Sequence, residues 1–287
     1  MIGPIGGVLF DGFAYGMLLF LLSVGLSVTL GMMNFVNLAH CSFGMLGGYV
    51  TITLMDRLGW PFFATLPAAF IAAALVSVVL ERALYRRLYR ASDLDQCLLT
   101  IGIAFISVAA AAYVYGTVQQ PVQLPPYLQG SVVFMGVNFA AYRLFLVGTA
   151  LAVTLALVAA LEWTRFGAQV RAAVDNQRMA RGLGINVDLV FAIAFALGSG
   201  LAGLGGALAI AIVGLDPSFA FTYLVYVLIV VSVGGLGSIA GSFAAAILLG
   251  ISDVAGKYYV PETGAFLIYL VMVGVLMWRP AGLFGKR

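Results

Sequence analysis

Asn34, Asn37 and His40 are the polar residues whose spacing could do chemistry. They stand three apart, so on a helix they fall within an arc of roughly 120°. Two readings follow. In one, the asparagines cap a turn at a membrane boundary and satisfy free backbone amides. In the other, the three form a polar stripe facing a pathway or a neighbouring helix, the usual role of polar groups inside a membrane. His40 is the sole histidine, which excludes a metal site built on histidines, and a proton relay through it would need an acid that its own segment lacks. No catalytic set emerges: Asp11, Asp216 and Asp253 are scattered, and no buried acid paired with a base is evident. The pattern GxxxxGK[ST] does not occur, so the chain binds no ATP through a P-loop, and any ATP-driven motor is a separate protein.

The longest charged run spans residues 163–188, WTRFGAQVRAAVDNQRMARGLGINVD. Arg165, Arg171, Arg178 and Arg181 face Glu162, Asp175 and Asp188. The spacing predicts a helix over 167–183, stopped by Gly182 and Gly184. On it Ala172, Asn176 and Ala180 share a face at i, i+4 and i+8, and Arg171, Asp175 and Arg178 form a charged row. Such a ridge of small residues could enter a groove of another protein while ion pairs fix its register. The blander alternative is a loop whose arginines only hold orientation.

The elements that position these residues follow from composition. Of 287 residues, 63% are hydrophobic and 9% charged, against about 25% charged in a soluble domain. The bilayer must therefore be the solvent. The net charge of +3 carries no basic tract, which argues against nucleic acid. Cys41 and Cys97 have no metal-ligand spacing and make no disulfide framework. The N-terminus lacks the positive region of a cleaved signal peptide. Apolar spans are predicted at 8–33, 34–55, 62–80, 97–115, 144–161, 189–213 and 265–277. The run over 221–250, interrupted by glycines, reads as two short spans meeting near 234–238 or as one broken helix. Residues 116–142, with Pro121, Pro125 and Pro126, read as a surface connection, and 257–263 as a connector. The expectation is an all-α polytopic membrane protein, a single domain over 1–287, with about 8–9 transmembrane helices and a cytoplasmic coupling helix within 163–188. Placing that run, the 81–95 loop and the C-terminus on one side gathers eleven of the fourteen lysines and arginines there, leaving Arg57, Arg143 and Lys257 opposite. By the positive-inside rule the richer side is cytoplasmic, and parity puts the N-terminus outside.

Glycine is frequent, at 35 residues, in sets at Gly44/Gly47/Gly48, Gly198–Gly206 and Gly234–Gly241, which points to close helix packing more than to a ligand. An LGG triplet occurs in both MLGGYV and GLGGAL, a hint of an internal repeat.

Three segments carry a family resemblance. GLSVTLGMMNFVNLAHCSFGMLGGYV (25–50) resembles the signature of LivH-type permeases of branched-chain amino acid ABC importers. RFGAQVRAAVDNQRMARGLGIN (165–186) resembles their cytoplasmic loop, the counterpart of the EAA loop that contacts the ATPase. YLVMVGVLMWRPAGLFG (269–285) resembles their ending. The resemblance covers nearly the whole chain in order and spacing. It implies a one-domain permease subunit of a bacterial inner membrane, multi-pass with its C-terminus in the cytoplasm, without cofactor. Membrane lipid, a LivM-like permease, two cytoplasmic ATP-binding subunits and a periplasmic substrate-binding protein would be its partners. Arg171, Ala172, Asp175, Asn176, Ala180, Leu183 and Gly184, with Arg178 of the charged row, would lie at the ATPase contact. Asn34, Asn37 and His40, with Gly44, Gly47 and Gly48, would lie along the translocation path. Arg171 stands where the wider EAA pattern has its glutamate. Urea and amide permeases share these motifs, and a stand-alone secondary transporter or channel built on the polar stripe and the broken 221–250 segment is the rival class.

Overall fold

A computed structural model describes residues 2–33, 35–89, 91–122, 124–134 and 137–285. The chain runs through α1 (Ile2–Met33), α2 (His40–Leu58), α3 (Phe62–Ala83), α4 (Asp93–Tyr115), α5 (Ala141–Trp163), α6 (Arg165–Asp175), α7 (Gln177–Gly182), α8 (Val187–Val213), α9 (Phe219–Gly234), α10 (Ile239–Tyr259) and α11 (Leu267–Trp278). A two-stranded antiparallel hairpin, Ser131–Phe134 with Val137–Ala140, precedes α5. The 116–142 connection is thus partly ordered as strand, which its β-branched and aromatic residues favour.

Among the described residues six helices are long and apolar enough to cross a membrane: Ile5–Gly31 within α1, then α3, α4, α5, α8 and α10. α9 and the last apolar segment, Gly264–Trp278, are shorter. The break expected within 221–250 is present as a glycine turn between α9 and α10. α10 runs on to Tyr259, taking up Lys257, which the composition had assigned to a connector.

α1 is the axis. From Ala14 to Leu26 its apolar side chains are buried on every face, the pattern of a helix wholly surrounded by others. α8, α9, α10 and α5 pack around it, and α2 lies mainly against α8 while its first turns also touch α1. α3, α4, α5 and α11 form the perimeter and turn leucines and isoleucines outward, among them Leu75, Ile106, Leu155 and Leu270, each more than 60% exposed. An apolar surface on that scale is covered by lipid or by another membrane subunit.

Glycines set the helix spacings. A Cβ added at Gly12 would stand 2.6 Å from the Ile251 Cα, and one at Gly16 would stand 2.7 Å from the Ala246 carbonyl, so α1 lies backbone to backbone on α10. Gly25 meets Gly198 on α8, and Gly47 meets Gly203. Gly44 and Gly206 bring the two LGG-bearing helices, α2 and α8, together. The sequence echo therefore marks a helix pair in contact, where close approach replaces the hydrophobic driving force that lipid removes.

Candidate functional site

The first candidate lies where α1 gives way to α2. Of the two readings of Asn37 and His40, the helical stripe fails: α2 begins at His40 and residues 35–39 are not helical, so Asn37 lies in a turn. Asn34 lies outside the described residues. Phe35 packs on Tyr85 and Phe195, beside the arginine-bearing loops. His40 reaches the carbonyl of Leu22, roughly three turns back along α1 from Met33. The connector therefore climbs from the end of α1 to mid-bundle before α2 starts. Unwound backbone at that depth survives only when other protein groups satisfy it. Gln96 and Thr100 of α4 do so: Val36 N–H donates to Gln96 Oε1 at 3.1 Å, and Leu38 N–H donates to Thr100 Oγ1 at 3.1 Å. Both side chains are buried. They were legible as a polar i, i+4 pair in an apolar span but carry no motif, so sequence reasoning passed over them.

Asn37 accepts the Ala39 N–H at 3.0 Å through Oδ1, closing a turn just before α2, whose own N-cap residue, Ala39, makes no side-chain cap bond. Its Nδ2 is buried without a partner among the described residues. His40 donates from Nε2 to the Leu22 carbonyl at 3.0 Å, which fixes the tautomer, and Nδ1 is buried without a partner among the described residues. Gly44 and Gly47 sit at backbone contacts with α8, and Gly48 sits against Leu215, so these glycines do packing work. The structure also brings together what the sequence scattered. Asp253, buried, accepts from Lys257 Nζ at 2.6 Å one turn on, a buried acid paired with a base. Asp11 pairs with Arg143 across α1 and α5, and the two pairs line one cavity.

The second candidate is the 163–188 run. The single helix expected over 167–183 is two. α6 starts at the Thr164 cap, whose Oγ1 accepts the Gly167 N–H at 3.2 Å. It ends at Asn176, whose backbone is extended (φ −153°, ψ 97°) and whose Oδ1 accepts the Met179 N–H at 3.0 Å to start α7. Asparagine prefers this cap over a helix interior because its side chain competes for backbone amides. Gly184, at φ 82°, closes α7 with Ile185 N–H on the Ala180 carbonyl. The break removes the shared face of Ala172, Asn176 and Ala180. Ala172 is half-buried and Ala180 buried with Val170 and Ala173 against Phe191, Phe195 and Tyr85, while Asn176 is exposed. The small residues thus dock the appendage onto its own bundle. Arg171 leaves the charged row as well, donating to the Leu161 carbonyl at the end of α5. Asp188 takes Arg86 at 2.6 Å and Arg181 at 2.8 Å, tying the 84–92 and 176–188 loops together. What faces outward is Asp175, Asn176, Arg178, Met179, Leu183 and Gly184.

Beside α6 lies a cavity of about 850 Å³ whose walls include Gly31, Val174, Gly237, Pro280 and Phe284. The tail folds back into it: Leu283 and Phe284 N–H donate to the Val233 and Gly234 carbonyls at 2.8 and 3.1 Å, with Gly282 (φ 81°) against Gly235. The ending RPAGLFG is therefore a clasp for the glycine turn after α9. Burial pushes the Tyr89 phenol well above the usual tyrosine range, with its hydrogen bond to Glu81 adding to the shift. Among the described residues, no three His, Cys, Asp or Glu side chains gather to hold a metal.

The fold and these sites define a polytopic helical membrane protein with a small charged appendage at one end. The model for the branched-chain amino acid transport system permease component matches residues 8–276, and the chain belongs to that family. It is 27% identical to the Escherichia coli K12 high-affinity branched-chain amino acid transport system permease protein LivH, over 97% of this chain and 94% of the relative. It is 25% identical to BraD, which bears the same description, of Pseudomonas aeruginosa, over 97% and 95%. It is also 27% identical to LivM of the Escherichia coli system, over 93% of this chain and 68% of that longer protein.

Proposed function

We propose that this chain is the transmembrane permease subunit of an ABC importer and forms half of the translocation pathway for branched-chain or other hydrophobic amino acids. The observation that carries the reading is the family match over residues 8–276. In this reading it is an inner-membrane transport subunit with no enzymatic step of its own. Its nine apolar passes are the six long helices with α2, α9 and α11, and the arginine-rich end faces the cytoplasm. A LivM-like chain supplies the other half, two ATP-binding subunits the drive, and a periplasmic binding protein the substrate. Asn37 and His40 stand beside the path at the α1–α2 break. Gly44, Gly47 and Gly48 let α2 lie close enough to α8 for both helices to reach it.

The coupling surface is the outward face of the appendage. Asp175, Asn176 and Arg178 give polar register, and Met179 and Leu183, 66% and 79% exposed, give apolar contact. Ala172 and Ala180 hold that face in place from beneath, Arg171 ties it to the end of α5, and Gly184 ends it. ATP binding moves α6 and α7, and α6 passes the motion to α1 and α8, which it touches. The test is reconstitution of the full complex with loaded binding protein. Asp175→Lys or Arg178→Glu is expected to leave assembly intact and to uncouple ATP hydrolysis from uptake. Wild-type uptake in both variants would sink the coupling assignment, and substrate-specific flux by this chain alone would sink the importer reading.

A further inference from the structure

The cavity at the end opposite the arginines has a volume of about 260 Å³ and is bounded by α1, α5, α8, α9 and α10. That is below the roughly 300–1,000 Å³ of clefts that hold drug-sized ligands, which suits a small metabolite. Asp253 lies in its wall. One carboxylate oxygen holds Lys257 Nζ at 2.6 Å, and the other is buried with no hydrogen-bond partner among the described residues. A buried carboxylate that uses only half its acceptor capacity is an unusual arrangement, because such groups are almost always fully bonded. The Lys257 side chain is half-exposed, on a flexible stem, with its ammonium 5.9 Å over the Tyr15 ring. It can therefore leave Asp253 without being stranded. Tyr15 and Tyr223 line the same space, and aromatic faces attract a cation. At the rim Arg143, a third exposed, pairs with Asp11. Two acids and two bases make the cavity formally neutral while presenting both signs.

We infer that this cavity binds a small zwitterionic α-amino acid. Its ammonium displaces Lys257 from Asp253, between the tyrosines, and its carboxylate displaces Asp11 from the Arg143 guanidinium. Lys257 and Asp11 occupy, in the ligand-free molecule, the positions the ligand's two charges take. Nothing covalent occurs, and protons stay where they are. The inference rests on the importer reading and adds the substrate's headgroup site to it.

Two measurements on the reconstituted full complex test it. The first compares leucine uptake and ATP hydrolysis in the same vesicles for Asp253→Asn and for the double variant Asp253→Asn/Lys257→Gln. Loss of a hydrogen bond to a charged group is expected to lower uptake at sub-saturating leucine by about ten- to a hundredfold in both, with hydrolysis retained. A merely structural ion pair would instead be rescued in the double variant, which leaves no unpaired charge. Wild-type uptake there overturns the site. The second uses the unmodified chain and so does not depend on a variant folding. Saturating leucine is expected to raise the reactivity of Lys257 toward a membrane-impermeant acylating reagent, and 4-methylpentanoate, which lacks the amine, is not. Equal reactivity with both compounds, or no change, overturns the exchange. Wild-type vesicles that take up no leucine at all would overturn the importer reading rather than this site.

Discussion

Gly47 shows what a single residue decides here. A Cβ there would fall on the Gly203 backbone of α8, whereas one at Gly102, on the outer face of α4, would meet nothing within 4 Å. Gly47→Ala therefore overpacks a helix contact, at a cost of about 1–3 kcal/mol. Gly102→Ala removes only glycine's excess backbone freedom and is expected to be neutral, or stabilising by up to about 1 kcal/mol. Thermal unfolding of the two variants in one detergent checks this: a lower midpoint for the first and an unchanged or higher one for the second. Equal midpoints would mean α2 and α8 are not in backbone contact. That glycines pack helices was readable from their number in an apolar chain. Which glycine meets which was not, because partners are set by helix crossings.

At the scale of elements, the unwound 35–39 connector depends on α4. Its amides have no water to turn to, and Gln96 and Thr100 replace that water. Thr100→Val keeps the shape and removes the acceptor, so the Leu38 amide is left unsatisfied at a cost of about 1–3 kcal/mol. Thr100→Ser keeps the hydroxyl and is expected to behave like the parent. Unfolding midpoints that are equal for Val and Ser would show that the connector is satisfied some other way. The spans of α3, α4, α5 and α8 were legible within a few residues, since each is a long apolar run bounded by charge, proline or glycine. The start of α2 was not: hydropathy is indifferent to whether Asn37 and His40 sit on a helix or before one. The break at Asn176 was missed for a related reason. Asn176 fitted a plausible face, and side-chain spacing outweighed its cap preference, which the structure follows.

For the whole molecule the charge asymmetry becomes a prediction about sides. Arg86 and Arg181 meet on Asp188 at one end, and Arg143 and Lys257 share a cavity at the other. With the native cysteines replaced by serine, Leu183→Cys is expected to react with an impermeant maleimide only after the membrane is permeabilised. Tyr127→Cys, exposed in the 116–142 segment, is expected to react in sealed cells. Labelling from the same side would overturn the topology. The exposed apolar perimeter of α3, α4, α5 and α11 is the surface that lipid and the proposed second permease subunit would cover.

The sequence by itself determined the solvent, the class and the family, because these rest on composition and on motifs read along the chain. A hydrophobic fraction this high admits only a membrane, and asymmetric arginines orient whatever spans it. Tertiary structure alone decided which distant residues share a space. Asp253 pairs with Lys257 by helix period, but Tyr15, Tyr223 and the Asp11–Arg143 pair reach the same cavity only because glycines let α1 press against α10. Meeting in three dimensions leaves no mark on spacing along one, so that cavity was invisible until the helices were packed.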